Sequence, residues 1–253
     1  MTTTIKVYSK PVLSSPMMIA GLPGIGSVAW LAVNHLIREL KAELFAEIYS
    51  PAFSLWLTEE GSVKLVKGDL HFAQSKRTGD YVFFTASEQP YSPEGQYELA
   101  DRVLEFAEQL SVRKLITMGG LATDRVTDAP QVYGGSTNPA LVSELKNQGV
   151  LRLAGGSITG TNGLLFGLAK PRSIDAYCLL AETPGYLSLD ANAARAVLQV
   201  VCKMTGIEVD MSNLEKQAKE NRDALEPTRD AEKAWGRTET RKPVSDRELS
   251  YVS

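Results

Sequence analysis

Histidine and cysteine are scarce in this chain: His35, His71, Cys178 and Cys202 are the whole supply. Four scattered residues do not make the clustered Cys/His set of a structural zinc site. Two cysteines, one in a predicted strand and one in a predicted helix, fit buried small hydrophobes of a reducing compartment rather than a disulfide scaffold. Neither histidine falls in a glycine loop beside an evident nucleophile, so no Ser–His or Cys–His pair is legible. No apolar run reaches the roughly 18 residues that a membrane span needs. The opening MTTTIKVYSK is too short and polar for a signal peptide. A soluble, cytoplasmic protein with no membrane partner is expected. Charge of one sign is missing too, with 27 basic against 30 acidic residues and a net charge of −3, which disfavours a general nucleic-acid binder.

What the chain does have is glycine in runs. Residues 17–40 go from an apolar stretch, Met17 to Ala20, through Gly21, Pro23, Gly24 and Gly26 into a helical pattern with Val28, Leu31, Ala32 and Leu36 on one side. This strand–turn–helix opens an α/β unit, with a turn where backbone approaches a partner closely. The spacing is not the G-x-G-x-x-G of a dinucleotide site, and no Lys-Ser/Thr pair follows as in a P-loop. No cofactor is expected. Further glycine turns follow at 119–120, 134–135 and 155–163. Two readings of these loops stay open: they present N–H groups and hydroxyls to an anion or small ligand, or they pack without side-chain volume, within one chain or across subunits.

The remaining elements follow from periodicity and caps. Residues 43–49 read as a strand ending at Ser50-Pro51, and 53–57, 63–66 and 70–73 as a hairpin or meander inserted beside a parallel sheet. Trp30, Phe53 and Trp56 supply aromatic surface for the core or an interface. Asp80 to Ala86 is a continuous apolar run, the clearest central strand. Ser92 caps a helix with Pro93 at its first position, and Leu99, Val103, Phe106 and Leu110 form its buried stripe. Strands follow at 114–118 and 175–181, and Asp190 caps a long helix closed by Gly206. At least four strand–helix units imply a three-layer αβα architecture around a mostly parallel sheet, with a small antiparallel meander. Residues 1–210 form the α/β domain and 211–226 a helix docked on it through Leu214 and Leu225. Residues 213–253 hold 9 basic and 9 acidic residues with few large apolar ones, so 227–253 read as a charged, flexible tail.

Ligands of α/β sheets lie beyond the carboxyl ends of the strands. The candidate site residues there, for an anion, a ligand or an interface, are Gly24, Gly26, Glu88, Glu94, Gly120, Arg125, Ser157, Gly160, Thr161, Asn162 and Glu182. In the ligand reading the glycines face one pocket and Ser157, Thr161 and Asn162 donate hydrogen bonds. Arg125 supplies charge, and Glu88 or Glu182 acts as acid or base.

Several long stretches, in order, resemble the PAC2 family of proteasome-assembly-chaperone relatives: GLPGIGSV (21–28), AEIYSPAF (46–53), QPYSPEGQYELA (89–100), GGLATDRV (119–126), VYGGST (132–137), GSITGTNGLLFGLAK (156–170), LLAETPGYLSLD (179–190) and IEVDMSNLE (207–215). The resemblance implies a phosphorylase/hydrolase-like α/β fold and a homo-oligomer, trimeric or larger. It implies a non-enzymatic assembly chaperone or scaffold for a proteasome-like complex, contacting proteasome α subunits through the C-terminal tail. It supplies no catalytic residues. The alternative is a small-ligand or nucleotide-binding protein, or a hydrolase-like enzyme, built on the glycine loops. Proteasome-binding members of the family can end in a hydrophobic–Tyr–any-residue motif. The last residues here are Tyr251, Val252 and Ser253, with the tyrosine one place earlier.

Overall fold

A computed structural model describes residues 2–124 and 127–221. Its strands are β1 (Thr4–Val7), β2 (Met17–Ala20), β3 (Glu43–Tyr49), β4 (Leu55–Leu57), β5 (Val63–Leu65), β6 (Gly68–Ser75), β7 (Gly79–Ala86), β8 (Lys114–Thr123), β9 (Val132–Ser136), β10 (Leu151–Arg152) and β11 (Asp175–Pro184). The helices are α1 (Val28–Glu39), α2 (Pro93–Gln109), α3 (Val142–Asn147), α4 (Gly160–Ala169), α5 (Ala191–Thr205) and α6 (212–221). Among the described residues no helix is long and apolar enough to cross a membrane.

Local chemistry explains the helix ends. The Ser92 hydroxyl accepts from the Gly95 N–H at the start of α2, with Pro93 in the first turn. The Asp190 carboxylate accepts from the N–H groups of Asn192 and Ala193 at the start of α5, and Gly206 ends that helix at a positive φ of 73°. Ser212 lies at the start of α6, where Asp210 takes both its N–H and its hydroxyl. Leu214 and Ala218 of this helix are buried in the core; Leu225 and the tail 227–253 lie outside the described residues.

The main sheet has nine strands in the order β1-β3-β6-β7-β2-β8-β11-β9-β10. It is mixed, and this corrects the expectation of a mostly parallel, phosphorylase/hydrolase-like sheet. Strands β7, β2, β8 and β11 run parallel in the centre, and β9 with β10 at one edge. The pairings β1–β3, β3–β6, β6–β7 and β11–β9 are antiparallel. The reason is connection length: parallel neighbours need a crossover, normally a helix, whereas a short turn returns the chain antiparallel. The turn between Ser75 and Gly79 leaves β6 no other course. The expected meander is divided as well: β4 and β5 form a separate two-stranded ribbon, and β6 joins the main sheet.

Helices cover both sheet faces. On one, α1 and α5 pack with α6 over Ile19, Phe83, Ile116 and Leu179. On the other, α2 and α4 pack over Met18, Ala20, Phe84 and Leu115. Alternate residues of β2 and of the 81–84 stretch of β7 thus enter different cores, which is why both stretches are apolar throughout.

Towards the β1 edge one carboxylate is enclosed. Glu47 is 6% exposed and accepts hydrogen bonds from Tyr8, from Tyr49 (2.6 Å) and from the Lys67 ammonium, which also pairs with Asp69 at 3.3 Å. Burial raises its pKa, but the bonds from Lys67, Tyr49 and Tyr8 outweigh that and hold it at about 2, below the ordinary 4.5. A depressed carboxylate pKa stabilises the fold fully above the unfolded value and loses that contribution as pH falls through the folded one. Glu47→Gln is therefore expected to cost on the order of 2 kcal/mol at neutral pH. Urea unfolding at a series of pH values should show the gap to wild type closing between pH 4.5 and about 2.

Candidate functional site

Glycine stretches 21–26, 119–120 and 155–163 meet at the carboxyl ends of the central strands and surround a cavity of about 460 Å³, whereas Gly134 and Gly135, expected as a turn, lie within β9 and do not line it. Two side-chain amides stitch them together. The Asn162 carboxamide, in the first turn of α4, accepts from the Leu22 N–H and donates to the Leu22 carbonyl, both at 3.0 Å. Gln89, just past β7, donates to the Pro23 carbonyl at 2.5 Å and accepts from the Thr161 N–H at 2.7 Å. Loops 21–26, 87–91 and 156–163 are thereby fixed to one another although no regular pairing joins them.

Close backbone approach explains the glycines of this frame. A Cβ on Gly21 would stand 2.4 Å from the Ala29 carbonyl oxygen, so the strand exit lies directly under the first turn of α1. A Cβ on Gly120 would stand 2.4 Å from the Ile25 carbonyl oxygen, so the first glycine loop lies across the end of β8.

Five candidates line the cavity: Gly24, Gly120, Ser157, Gly160 and Asn162. The others are placed elsewhere. Gly26 (φ 62°) packs on Thr183 and Asp190, and its carbonyl accepts from the Asp190 N–H at 2.8 Å. Thr161 is fully buried, with a hydroxyl that finds no hydrogen-bond partner among the described residues. Glu88 braces the β4–β5 ribbon, accepting from the Ser54 N–H at 2.7 Å, the Ser54 hydroxyl and the Trp56 indole at 3.1 Å. Burial raises its pKa, but the bonds from Ser54 and Trp56 prevail and hold the carboxyl below its ordinary value. Glu94 is exposed in the first turn of α2. Glu182 accepts from the Gln131 N–H at 3.1 Å and the Tyr133 hydroxyl at 3.4 Å. Arg125 lies outside the described residues.

The cavity wall is mainly apolar, with Leu22, Ile25, Met118 and Leu180 beside the glycines. Both ends of its two amide side chains are already occupied, and no acidic or basic side chain lines it among the described residues. Cys178 borders it, but burial pushes the thiol up to about 11, so it stays protonated at neutral pH. The histidines are distant from this chemistry. His35 donates from Nε2 to the Asp210 carbonyl at 2.7 Å and accepts from Arg38 on Nδ1, the pattern of a neutral ring, and burial lowers its pKa. Among the described residues no His/Cys/Asp/Glu group is arranged to hold a metal ion.

Gln89 was not among the sequence candidates. Its partners Pro23 and Thr161 are 66 and 72 positions away, and nothing local to Gln89-Pro90 announces them. Replacing it with leucine strands a carbonyl and an N–H in the loop frame. Gln89→Leu is expected to lower stability by about 1–3 kcal/mol, read as a fall in thermal midpoint.

The PAC2 family profile matches residues 18–228. An uncharacterized protein of Methanocaldococcus jannaschii, MJ1210, is 33% identical over 252 residues, spanning 98% of this chain and 96% of the relative. Among solved structures, the chain is similar to Pyrococcus furiosus PbaB, described as an archaeal proteasome activator, at 36% identity and a TM-score of 0.84 over 90% of this chain and 99% of that one. It is also similar to P. furiosus PbaA, described as an archaeal homolog of proteasome-assembly chaperone, at 26% identity and a TM-score of 0.72 over 89% and 96%. With its glycine loops in one frame and a family match over most of its length, the chain belongs to the PAC2 family.

Proposed function

We propose that this protein is a non-enzymatic homo-oligomer that binds a proteasome-like complex as an assembly chaperone or scaffold. The observation that carries the reading is the chain-long likeness to PbaB, 36% identical with a TM-score of 0.84. PbaB is described as an activator and PbaA as a chaperone homolog, and what the two descriptions share is the proteasome. The site chemistry supports a binding role: among the described residues the cavity is lined by a protonated thiol and internally satisfied amides rather than by a charged, poised group. The contact with α subunits is assigned to residues 227–253, where basic and acidic side chains are intermingled with few large apolar ones. The candidate glycine residues then serve as the rigid frame beneath the binding surfaces.

A pull-down against proteasome α subunits checks this, using the full chain and a form lacking residues 227–253. The full chain is expected to bind and the shortened one to lose most of the binding; capture of neither refutes the reading. Calorimetry against nucleotides, nucleosides and phosphate is expected to be flat. A saturable heat would favour a ligand site in the glycine-loop cavity instead.

A further inference from the structure

The β4–β5 ribbon stands apart from the main sheet, with Leu55 opposite Leu65, Trp56 opposite Lys64 and Leu57 opposite Val63. Alternate residues of a strand share a face. Leu55, Leu57, Val63 and Leu65 therefore stand on one side, and Trp56 and Lys64 on the other. The aliphatic four are 69, 74, 65 and 53% exposed. The opposite side is the one tied to the body, through the Trp56 indole and Glu88. An isolated two-stranded hairpin is marginal in water, and here its apolar side faces solvent.

At the base of the ribbon lies a groove of about 880 Å³ whose walls include Tyr49, Phe53 and Tyr91 as well as Leu55 and Leu65. The last two belong to ridge and groove alike, so a projecting apolar ridge and an apolar hollow form one continuous patch. The four aliphatic side chains with Tyr91 leave roughly 600 Å² exposed, a large part of the ~800 Å² that each partner contributes to a standard interface. That lies at the top of the ~300–600 Å² range of the largest apolar patch on a typical monomer. A ridge beside a matching hollow is self-complementary under twofold rotation: the ridge of one copy fills the hollow of the other, and the reverse.

We propose that the β4–β5 ribbon and its groove form a twofold contact between two copies of this chain. The proposal rests on the homo-oligomeric part of the reading above, not on proteasome binding. A twofold contact gives dimers, or even-numbered assemblies where a second contact exists.

The test is the solution mass of the full chain by sedimentation equilibrium, with Leu57→Glu and the gentler Leu57→Ser. The wild type is expected to be even-numbered. Leu57→Glu should halve the mass with the far-UV spectrum and thermal midpoint of the body retained, and Leu57→Ser should raise the dissociation constant at least tenfold. A monomeric or odd-numbered wild type overturns the proposal, as does a mass unchanged by both substitutions. So does loss of α-subunit capture by Leu57→Glu at unchanged mass, which would assign the ribbon to the proteasome. A failed pull-down by the wild type, with the mass still halved by Leu57→Glu, would refute proteasome binding and leave the twofold contact standing.

Discussion

Irregular backbone at the end of a buried sheet must find partners for its N–H and carbonyl groups, and in this protein two amide side chains supply them. Asn162 satisfies both backbone groups of Leu22, and Gln89 joins the Pro23 carbonyl to the Thr161 N–H. An unmade bond at such a place costs more than a made one contributes, so the loops have little freedom to separate. Everything built on that edge inherits the constraint. The first turn of α1 rests on Gly21, loop 21–26 crosses β8 at Gly120, and Gly26 receives the cap of α5 through Asp190.

The same economy governs the polar side chains of the glycine-rich edge among the described residues. The two amide side chains that line the cavity are already committed between loops, and the Thr161 hydroxyl is the buried group there that finds no partner among the described residues. The carboxylates of the region are committed too, Glu88 to Ser54 and Trp56, and Glu182 to Gln131 and Tyr133. Glu47 shows the pattern in its strongest form, with three donors converging on one carboxylate. Polar groups in this molecule mainly hold strands and loops in place. The least compensated surface is apolar, on the β4–β5 ribbon, where burial against a partner is the available source of free energy. A rigid frame with unsatisfied apolar surface suits a protein that works by docking.

Much of the fold was legible one element at a time. Ser92-Pro93, Asp190 and Gly206 mark helix ends by mechanisms that act within a turn of the chain, and each acts so in the structure. The apolar run 80–86 is a strand buried on both faces. Strand direction was not legible, because β6 and β7 carry the same apolar signal whether they pair parallel or antiparallel. The short turn between them decided it. The candidate site was half legible: glycine and small polar residues marked the loops, and five of them line one cavity. Gly26 and Glu88 came from the same pattern but face other partners.

By itself the sequence determined the positions of most strands and helices, though not of β9, whose Gly134 and Gly135 read as a turn, and membership of the PAC2 family through motifs that recur in order. These are properties of short stretches, where side-chain period, caps and turn residues act locally. The tertiary structure alone decided the mixed sheet, the stitching of Leu22 by Asn162 and of Pro23 by Gln89, and the exposure of the ribbon. Those features depend on contacts between residues far apart in the chain, and no local preference in the backbone specifies which distant partner a strand edge, an amide or an apolar face will meet.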